Sequence, residues 1–254
     1  DSNYGELTFK GAGLNGKLYN HGTLISDEHF SVNTVSGVLY NTKTMIFKKD
    51  LNIDTKSVFT NNGTTEVWNY LHNNGGAAII NNCKIIVKNT FEIDAPCRNT
   101  GIITVTNSTG IKYNYQGGEG SLLKTGDLLI AAVAEGIGNS CSSIKVSGST
   151  NMTGAGSLQG KIDLCRGTGT FTQNGTITPP ATANCSCTPT NSGGTTSTGN
   201  TGTITWSAGT STLSGSTVTD LPAGTYKVKV LIDGCKADSF TFTITEPPAV
   251  IVTA

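Results

Sequence analysis

Acidic side chains recur along the first hundred residues, and they are the groups that could carry out acid or base chemistry. Enzymes that cleave glycans use pairs of carboxylates, one as the acid and one as the base. Asp50, Asp54 and the pair Glu92 and Asp94 flank similar apolar segments, so they could stack on neighbouring coils. Lysines are interspersed among them, which favours a solvated face of mixed charge over a catalytic site. The acidic residues are Asp27, Glu28, Asp50, Asp54, Glu66, Glu92 and Asp94, and the lysines are Lys48, Lys49 and Lys56.

Three histidines, His21, His29 and His72, are the other candidate bases. A serine hydrolase needs a histidine beside its nucleophile, and the sequence lacks the G-x-S-x-G turn that presents such a serine. Each histidine lies at a predicted polar turn or edge, which favours a surface role. The sequence therefore predicts no catalytic residue and no cofactor.

Four aromatic residues are candidates for ligand binding. Trp68 and Tyr70 lie beside a long polar turn, and Tyr113 and Tyr115 occupy the corresponding segment two repeats later. Aromatic faces stack on sugar rings and supply contact area at little entropic cost. If Trp68 and Tyr70 face outward, they form a binding platform with Tyr113 or Tyr115. The alternative is that these rings fill a wide corner of the core.

Seven cysteines without a metal-ligand spacing indicate disulfides and an oxidising compartment. Cys185 and Cys187 form a C-x-C pair, but no second C-x-x-C accompanies it, so we expect no zinc site. The sequence also lacks calcium-binding repeats. Cys83 with Cys97, and Cys141 with Cys165, are candidate disulfides, and because the number of cysteines is odd, one cysteine remains unpaired or bonded to another chain.

The N-terminal part repeats itself with a period near 20 residues. Asn20, Asn41, Asn62, Asn82 and Asn99 follow one another at intervals of 21, 21, 20 and 17 residues. Each begins a block with two apolar columns, which predicts two short strands per turn. This pattern is typical of a parallel β-solenoid, and we expect a right-handed β-helix. A corner asparagine tolerates left-handed backbone angles, and its amide can bond to the amide one coil above, so the column is predicted to be a structural ladder.

The apolar columns of these blocks predict the core. The first column comprises Thr23/Ile25, Thr44/Ile46, Thr65/Val67, Ile85/Val87 and Ile102/Thr104, and the second comprises Phe30/Val32, Leu51/Ile53, Leu71, Phe91/Ile93 and Ile111/Tyr113. After Gly117 the repeat becomes irregular, as in shorter final coils or a cap. We place the β-helix at 1–178, followed by a Ser/Thr/Gly/Pro-rich linker with a first strand at 179–202.

A β-hairpin is the clearest feature of the C-terminal part. The strand from Thr225 to Ile232 alternates apolar and polar residues, and Asp233-Gly234 is a strong hairpin turn. The return strand carries Phe240 and Phe242 on its predicted inward face. The hairpin predicts a small antiparallel sandwich over 203–248, and the strand-like residues 249–254 read as the start of a following repeat.

This C-terminal part resembles the short immunoglobulin-like repeats of SprB-type adhesins on gliding Bacteroidetes. The matching segments are ITWSAGTSTLSG with Trp206, TDLPAGTYKVKV, Asp233-Gly234-Cys235 and TITEPPAVIVTA. The resemblance covers residues 187–254, and its front, Asn191 to Gly202, is shorter than in the family. It implies a disulfide between Cys187, or Cys185, and Cys235. It also implies a cell-surface protein exported by type IX secretion.

Composition excludes several partners. Charged residues are 13% of the chain and the formal net charge is zero, so no basic patch is predicted to recruit nucleic acid. The sequence contains no apolar run long enough to span a membrane, and we expect no membrane insertion.

We therefore expect an extracellular, non-enzymatic adhesin segment that attaches to a surface or glycan during gliding motility or colonisation. The first alternative is a structural subunit of a cell-surface filament or sheath, assembled by self-association of strand edges. The second is a β-helical enzyme that acts on polysaccharides.

Overall fold

The structure is a computed structural model that describes residues 1–138, 141–185, 203–208, 211–214, 223–232 and 235–245. The chain forms two compact units, Asp1–Gly193 and Gly194–Ala254. All regular elements in the described ranges are β-strands, which confirms the all-β prediction for them.

Three parallel sheets form the first unit, and the chain visits them in the same order on each coil. The first sheet comprises Ser2–Asn3, Lys17–Asn20, Val38–Asn41, Val58–Asn61, Ala78–Asn81, Cys97–Asn99, Tyr115–Gly117, Val133–Gly136, Ser157–Gly160 and Thr176–Ile177. The second comprises Glu6–Phe9, Thr23–Ser26, Thr44–Phe47, Thr64–Val67, Lys84–Val87, Ile102–Val105, Leu122–Thr125, Ser142–Val146 and Ile162–Arg166. The third comprises Ala12–Leu14, Phe30–Val32, Leu51–Ile53, Tyr70–Asn73, Thr90–Ile93, Ser108–Ile111, Asp127–Ile130, Thr150–Met152 and Phe171–Gln173.

This arrangement confirms the parallel β-solenoid with coils of about 20 residues. The prediction of two strands per coil is wrong, because each coil contains three. The missed strand is the one that ends at each ladder asparagine, such as Val38–Asn41. Asparagine is typical of turns, and a strand of four residues has only one apolar inward position, so its alternation is too short to recognise.

The core consists of inward side chains from all three sheets. Inward residues include Leu39, Phe59 and Ile79 of the first sheet, Leu24, Met45 and Ile85 of the second, and Phe30, Leu51, Leu71 and Phe91 of the third. Phe30 contacts Phe9 and Phe47 on the neighbouring coils, with ring centroids 5.9 and 5.3 Å apart. Each fully buried ring or branched side chain contributes about 1.5–3 kcal/mol to folding.

The predicted second apolar column is correct from Phe30 to Ile111, but parts of the first are wrong. In the strands Thr23–Ser26 and Thr44–Phe47, the residues Leu24 and Met45 are buried while Ile25 and Ile46 are only partly buried. Successive strand residues point to opposite faces, so a shift of one residue exchanges the two faces. Thr104 also points outward, and Tyr113 lies in an exposed turn.

A buried asparagine ladder runs through the first sheet. The amide nitrogen of each asparagine donates to the amide oxygen of the next coil over 2.8–2.9 Å. The last amide, that of Asn99, donates to the Tyr115 hydroxyl at 3.1 Å. The ladder comprises Asn3, Asn20, Asn41, Asn61, Asn81 and Asn99, and the chain separations are 17, 21, 20, 20 and 18 residues. The predicted structural ladder therefore exists.

Two members of the predicted ladder are displaced by one residue. Asn62 and Asn82 follow the buried Asn61 and Asn81 and form a separate bridge outside the core, in which the amide of Asn82 donates to that of Asn62 at 2.7 Å. The amide of Asn62 donates to the Tyr40 hydroxyl at 2.8 Å. Because an asparagine repeats at both positions, the sequence period alone does not indicate which one is inside.

The solenoid extends beyond its predicted end at residue 178. Asp163 is buried, and its Oδ1 accepts hydrogen bonds from the Thr182 hydroxyl and from the backbone N–H groups of Asn184 and Cys185. A disulfide joins Cys165 to Cys185. Residues 179–185 are therefore attached to the last coil, although the sequence assigned them to a linker.

The disulfide Cys165–Cys185 and the free thiol of Cys97 together overturn three of the predicted pairings. Because Cys165 bonds to Cys185, the pairs Cys141–Cys165 and Cys185–Cys235 are wrong. Cys97 is a free, buried thiol, so the pair Cys83–Cys97 is also wrong. The remaining prediction, Cys187 with Cys235, involves Cys187, which lies outside the described residues.

The second unit contains a four-stranded antiparallel sheet in its described part. Its strands are Thr203–Ala208, Ser211–Ser214, Gly224–Ile232 and Cys235–Ile244. The predicted hairpin is confirmed, since Tyr226 pairs with Phe242 and Val228 pairs with Phe240. The remainder of the predicted sandwich, the front of the repeat within 186–202 and the strand at 249–254 lie outside the described residues.

The buried ladder makes a direct prediction about stability. The Asn61 amide donates to Asn81 Oδ1 and Lys84 O, and accepts from Asn41 and Thr65, all at 2.9 Å. Replacing Asn61 by alanine leaves these buried partners unsatisfied and is expected to cost about 3 kcal/mol or more. Thermal and urea unfolding followed by circular dichroism measures the loss.

The matched control is Asn62→Ala, which removes the neighbouring amide outside the core. Its partners reach solvent, so its expected cost is about 1 kcal/mol or less. Equal losses for the two variants would mean that the interior ladder has no special role in stability.

A second prediction concerns the cysteines. Tryptic digestion without reduction is expected to yield the peptide 162–166, which contains Cys165, attached to the peptide that contains Cys185. The substitution Cys185→Ser is expected to release the peptide 162–166, whereas Cys187→Ser leaves it attached. Loss of a disulfide that closes about 20 residues costs about 3 kcal/mol of chain entropy.

The same digest tests Cys97. Burial raises the pKa of the Cys97 thiol to about 12, so iodoacetamide at pH 8 is expected to leave it unmodified until guanidinium unfolds the chain. Rapid alkylation of Cys97 in the native protein would contradict its interior position.

Candidate functional site

Trp68 lies in the turn between the second and third sheets and is 42% exposed. Its indole N–H donates to Glu66 Oε1 at 2.7 Å. Lys88, one coil further, lies 4.3 Å from the ring centroid and 2.5 Å from the same Glu66 oxygen. A cation over an aromatic face attracts the ring electrostatically. One face of the indole is therefore held by the neighbouring coil, and the ring is fixed rather than free to swing.

A second set of functional groups lies on the outside of the third sheet, and we call it the third-sheet polar face. It comprises Tyr70, His72, Glu92, Asp94 and Lys112. His72 Nε2 lies 2.9 Å from Asp94 Oδ2, and the Tyr70 and His72 rings are 5.5 Å apart. Lys112 forms an ion pair with Glu92. Each carboxylate of this face thus has a basic partner on a neighbouring coil.

Electrostatics within the third-sheet polar face follow from these pairs. Partial burial, and then the negative charge of Glu92, raise the pKa of the Tyr70 hydroxyl above its ordinary value. The hydrogen bond to Glu92 raises the pKa of the Lys112 ammonium. Both groups therefore stay protonated at neutral pH, and Lys112 stays charged.

Gly110 makes room for the Glu92 carboxylate. It pairs with Glu92 in the adjacent strand, and a Cβ at position 110 would lie 3.1 and 3.2 Å from the two carboxylate oxygens. Such contacts are tighter than most side chains tolerate, so the small residue allows the carboxylate to lie close to the sheet.

The other predicted carboxylates also lie near the third sheet. Asp50 accepts hydrogen bonds from the Asn69 side chain at 2.6 Å and the Tyr70 N–H at 3.1 Å, and it contacts His29 at 2.7 Å. Asp27 pairs with Lys48 at 2.8 Å. The expected face of mixed charge is therefore present, and five of its carboxylates, Asp27, Asp50, Glu66, Glu92 and Asp94, are engaged in hydrogen bonds or ion pairs with neighbouring coils.

The predicted aromatic platform is only partly formed. Trp68 and Tyr70 lie close in the chain at the same corner, as expected. Tyr115 is wrong as a surface residue, because it is 1% exposed and its hydroxyl accepts from Asn99 inside the solenoid. Tyr113 is 50% exposed, but it lies in the turn after the third sheet, at the end of the strand remote from Trp68. Tyr115 begins one of the first-sheet strands, Tyr115–Gly117, that the sequence did not indicate. Alternation along that strand points its side chain into the core and not to the surface.

A cluster of rings on the first sheet was missed, and we call it the tyrosine cluster. It comprises Tyr4, Tyr19, His21 and Tyr40 on the first three coils. Tyr19 and Tyr40 occupy the same register, with centroids 5.9 Å apart. His21 stacks on Tyr4 at 5.0 Å and meets the edge of Tyr40 at 6.3 Å. The signal was available in the sequence, since Tyr19 and Tyr40 each precede a ladder asparagine.

Hydrogen bonds fix the tyrosine cluster from the adjacent corner. His21 Nδ1 lies 2.9 Å from the Thr42 hydroxyl, and Asn62 donates to the Tyr40 hydroxyl at 2.8 Å. Tyr4 remains 77% exposed. The cluster therefore presents aromatic rings to solvent beside amide and hydroxyl groups, which is the combination that suits sugar rings and their hydroxyls.

No group of three or more metal-ligating side chains is present within the described ranges. Those ranges also contain no helix long and apolar enough to cross a membrane. Comparisons of the chain with protein-family models, with curated proteins and with solved structures found no match.

The ion pair at Glu92 yields a prediction about ionisation. Replacing Glu92 by glutamine removes a negative charge beside Tyr70 and leaves Lys112 a neutral acceptor in place of a carboxylate, so the pKa of both groups is expected to fall. Spectrophotometric titration near 295 nm reports the tyrosine, and NMR of labelled lysine reports Lys112.

The sign of the stability effect follows from the same shift. In the folded state the pKa of Lys112 lies above its ordinary value of 10.5. The ion pair with Glu92 therefore stabilises the folded state fully below pH 10.5, and this contribution is lost as the pH rises through the raised pKa of Lys112. Glu135→Gln, on the outside of the first sheet, is the control and should leave both titrations unchanged. An unchanged Lys112 titration in Glu92→Gln would contradict the assigned pairing.

Proposed function

We propose that this chain is a segment of an extracellular, non-enzymatic adhesin that binds glycan surfaces through outer aromatic side chains of its β-solenoid. The tyrosine cluster carries the proposal. Its rings lie on successive coils, and hydrogen bonds with Thr42 and Asn62 hold His21 and Tyr40, so binding a sugar face costs little additional ordering of these two rings. Trp68 and Tyr70 form a secondary contact at the corner between the second and third sheets.

Rigidity also supports the proposal. The solenoid is held by parallel strand pairing on every coil and by an internal amide ladder. A stiff body of this kind holds a binding surface away from a cell, and several weak contacts on one polymer add through effective concentration.

The contacts of the acidic side chains favour a binding function over a catalytic one. Glu92 is paired with Lys112, Asp94 with His72 and Asp50 with His29. A glycosidase needs one carboxyl group that keeps its proton and a second that faces it across the scissile bond. Each of these carboxylates is instead engaged with a basic side chain, and none of them faces another carboxyl group across an open site in the described contacts.

The C-terminal part of the chain carries a second element of the proposal, which concerns the kind of surface protein to which the solenoid belongs. We propose that 203–248 is an immunoglobulin-like repeat of the SprB type, that further repeats follow, and that the β-solenoid is right-handed, the hand that crossover connections between parallel strands favour. The confirmed hairpin and the resemblance of its sequence support this assignment. Export by type IX secretion and a role in gliding motility or colonisation follow from the same resemblance.

Glycan arrays test the binding surface. The wild-type chain is expected to bind a subset of neutral glycans, and the double variant Tyr19→Ala/Tyr40→Ala is expected to lose about 1–3 kcal/mol of binding free energy, or roughly 5- to 150-fold in affinity. Trp68→Ala/Tyr70→Ala is expected to have a smaller effect, because Lys88 and Glu66 already occupy part of the indole surface.

The matched control is Tyr113→Ala, which removes an exposed tyrosine outside both surfaces. Its affinity is expected to equal that of the wild type. Equal losses in all three variants, or glycan release into solution as shorter products, would count against the proposed adhesin.

Location on the cell tests the biological role. A fluorescent antibody fragment against the solenoid is expected to show foci that travel along a crawling source cell and stop where it grips the surface. Static label along fibres would favour the filament alternative instead.

A further inference from the structure

The side chains at the corner between the second and third sheets become smaller along the solenoid axis. On the early coils its first turn position holds bulky residues, Lys48, Trp68 and Lys88, and on later coils it holds Thr106, Gly126 and Ser147. A Cβ at Gly126 would overlap the Asn107 carbonyl oxygen, so no side chain fits there. The surface is therefore recessed at this point.

The recess is a depression of about 310 Å³, and we call it the lysine depression. Its lining includes the side chains of Thr104, Thr106, Lys124, Lys145 and Ser147, together with Gly126. A volume of this size accepts a substituted sugar unit or a similar small group.

Two lysines face each other across this depression. Lys124 and Lys145 are direct register partners on adjacent strands, which places their backbones about 4.8 Å apart. Like charges opposite one another on neighbouring strands are destabilising. The neighbours of the pair in the same row are Thr104 and Cys165, which carry no compensating charge.

Two lysines at this corner on earlier coils, Lys48 and Lys88, are matched with carboxylates, and so is Lys112 at the end of a third-sheet strand. Lys48 pairs with Asp27, Lys88 with Glu66 and Lys112 with Glu92. Among the residues that the structure describes, no carboxylate lies within ion-pair distance of Lys124 or Lys145. Lys124 and Lys145 therefore differ from Lys48 and Lys88, because their charges oppose each other without a described carboxylate between them.

The nearest carboxylate along the chain is that of Asp127, which begins the third-sheet strand after the turn. Its Oδ1 accepts the Ser149 N–H at 2.7 Å, so it is engaged in the turn itself. The hydroxyls of Thr104, Thr106 and Ser147 complete a surface with two positive charges and several hydroxyl groups, which is suited to an anion.

We propose that the lysine depression binds an anionic substituent, a sulfate ester or a carboxylate, of an acidic polysaccharide. The choice of a polysaccharide rests on the proposed adhesin function, whereas the choice of an anion rests on the lysine pair. Binding would place a negative charge between two ammonium groups that otherwise repel each other.

Biolayer interferometry with matched polymers tests this assignment. The probes are dextran sulfate, polygalacturonate and unsubstituted dextran, with single-stranded DNA as a polyanion of another class. The full chain is expected to bind at least one acidic polysaccharide more tightly than dextran, and added salt is expected to weaken that binding. Comparing sulfate with carboxylate polymers identifies which substituent is recognised.

The decisive variant is Lys124→Gln/Lys145→Gln, which is expected to weaken binding to the acidic polysaccharide about tenfold. The control Lys43→Gln/Lys49→Gln removes the same charge from exposed turns of an earlier coil, and its expected change is less than about twofold. Unchanged melting temperatures show that both variants fold.

Several results would overturn the assignment. They are equal weakening in the two double variants, no acidic polysaccharide bound by the wild type, or equally tight binding of single-stranded DNA. Tyr19→Ala/Tyr40→Ala separates this proposal from the adhesin function. If neutral glycans bind through the tyrosine cluster while the lysine variant changes nothing, the anion site is wrong and the adhesin proposal stands.

Discussion

The buried amide ladder is the constraint on which the rest of the solenoid depends. A carboxamide has two N–H donors and an acceptor oxygen, and leaving them unpaired inside a core costs more than the hydrogen bonds gain. Asn41 meets this demand with the amide of Asn61, the Thr64 carbonyl and the Lys43 N–H. These partners are available only when each coil stacks on the next in one register. The ladder therefore disfavours any slip of one coil against another, which would leave several amides unpaired at once.

The fixed register of the coils also determines which side chains are neighbours on the outer surface. Side chains on neighbouring coils face each other at about 4.8 Å whatever their chemistry, so favourable and unfavourable pairs are both imposed by the core. Glu92 with Lys112 and Glu66 with Lys88 are favourable pairs. Tyr19 with Tyr40 is an aromatic pair, and Lys124 with Lys145 is a repulsive one. Unfavourable outer pairs are tolerated because the interior determines the stacking, which makes them informative about ligands.

The sequence predicted the period, the parallel solenoid, the third-sheet core and the C-terminal hairpin, because each depends on a pattern that repeats. It did not distinguish Asn61 from Asn62, since both positions repeat with the same period and only the strand pleat separates inside from outside. The same ambiguity placed Tyr115 on the surface. The ion pairs of the third-sheet polar face could not be predicted either, because they join residues about 20 positions apart whose meeting depends on the exact length of each coil. Cys165 bonds to Cys185 because Asp163 holds residues 182–185 against the final coil, and no spacing rule contains that information.

The two proposed contact surfaces differ in chemistry and in position along the solenoid. The tyrosine cluster ends at Tyr40 on the third coil, and Lys124 lies on the seventh strand of the second sheet. Four coil spacings of about 4.8 Å separate them by about 19 Å along the axis, a distance that a few sugar units span. The surfaces also lie on different sheets, so a polymer with neutral faces and scattered acidic groups reaches both when it passes around the corner between the first and second sheets. Once one surface has bound the polymer, the other surface meets it at a high effective concentration. A rigid solenoid keeps this concentration high because the distance between the two surfaces is fixed. Adhesion by this route needs no deep pocket, since two shallow contacts at a fixed separation bind a long polymer more tightly than either contact binds a short sugar.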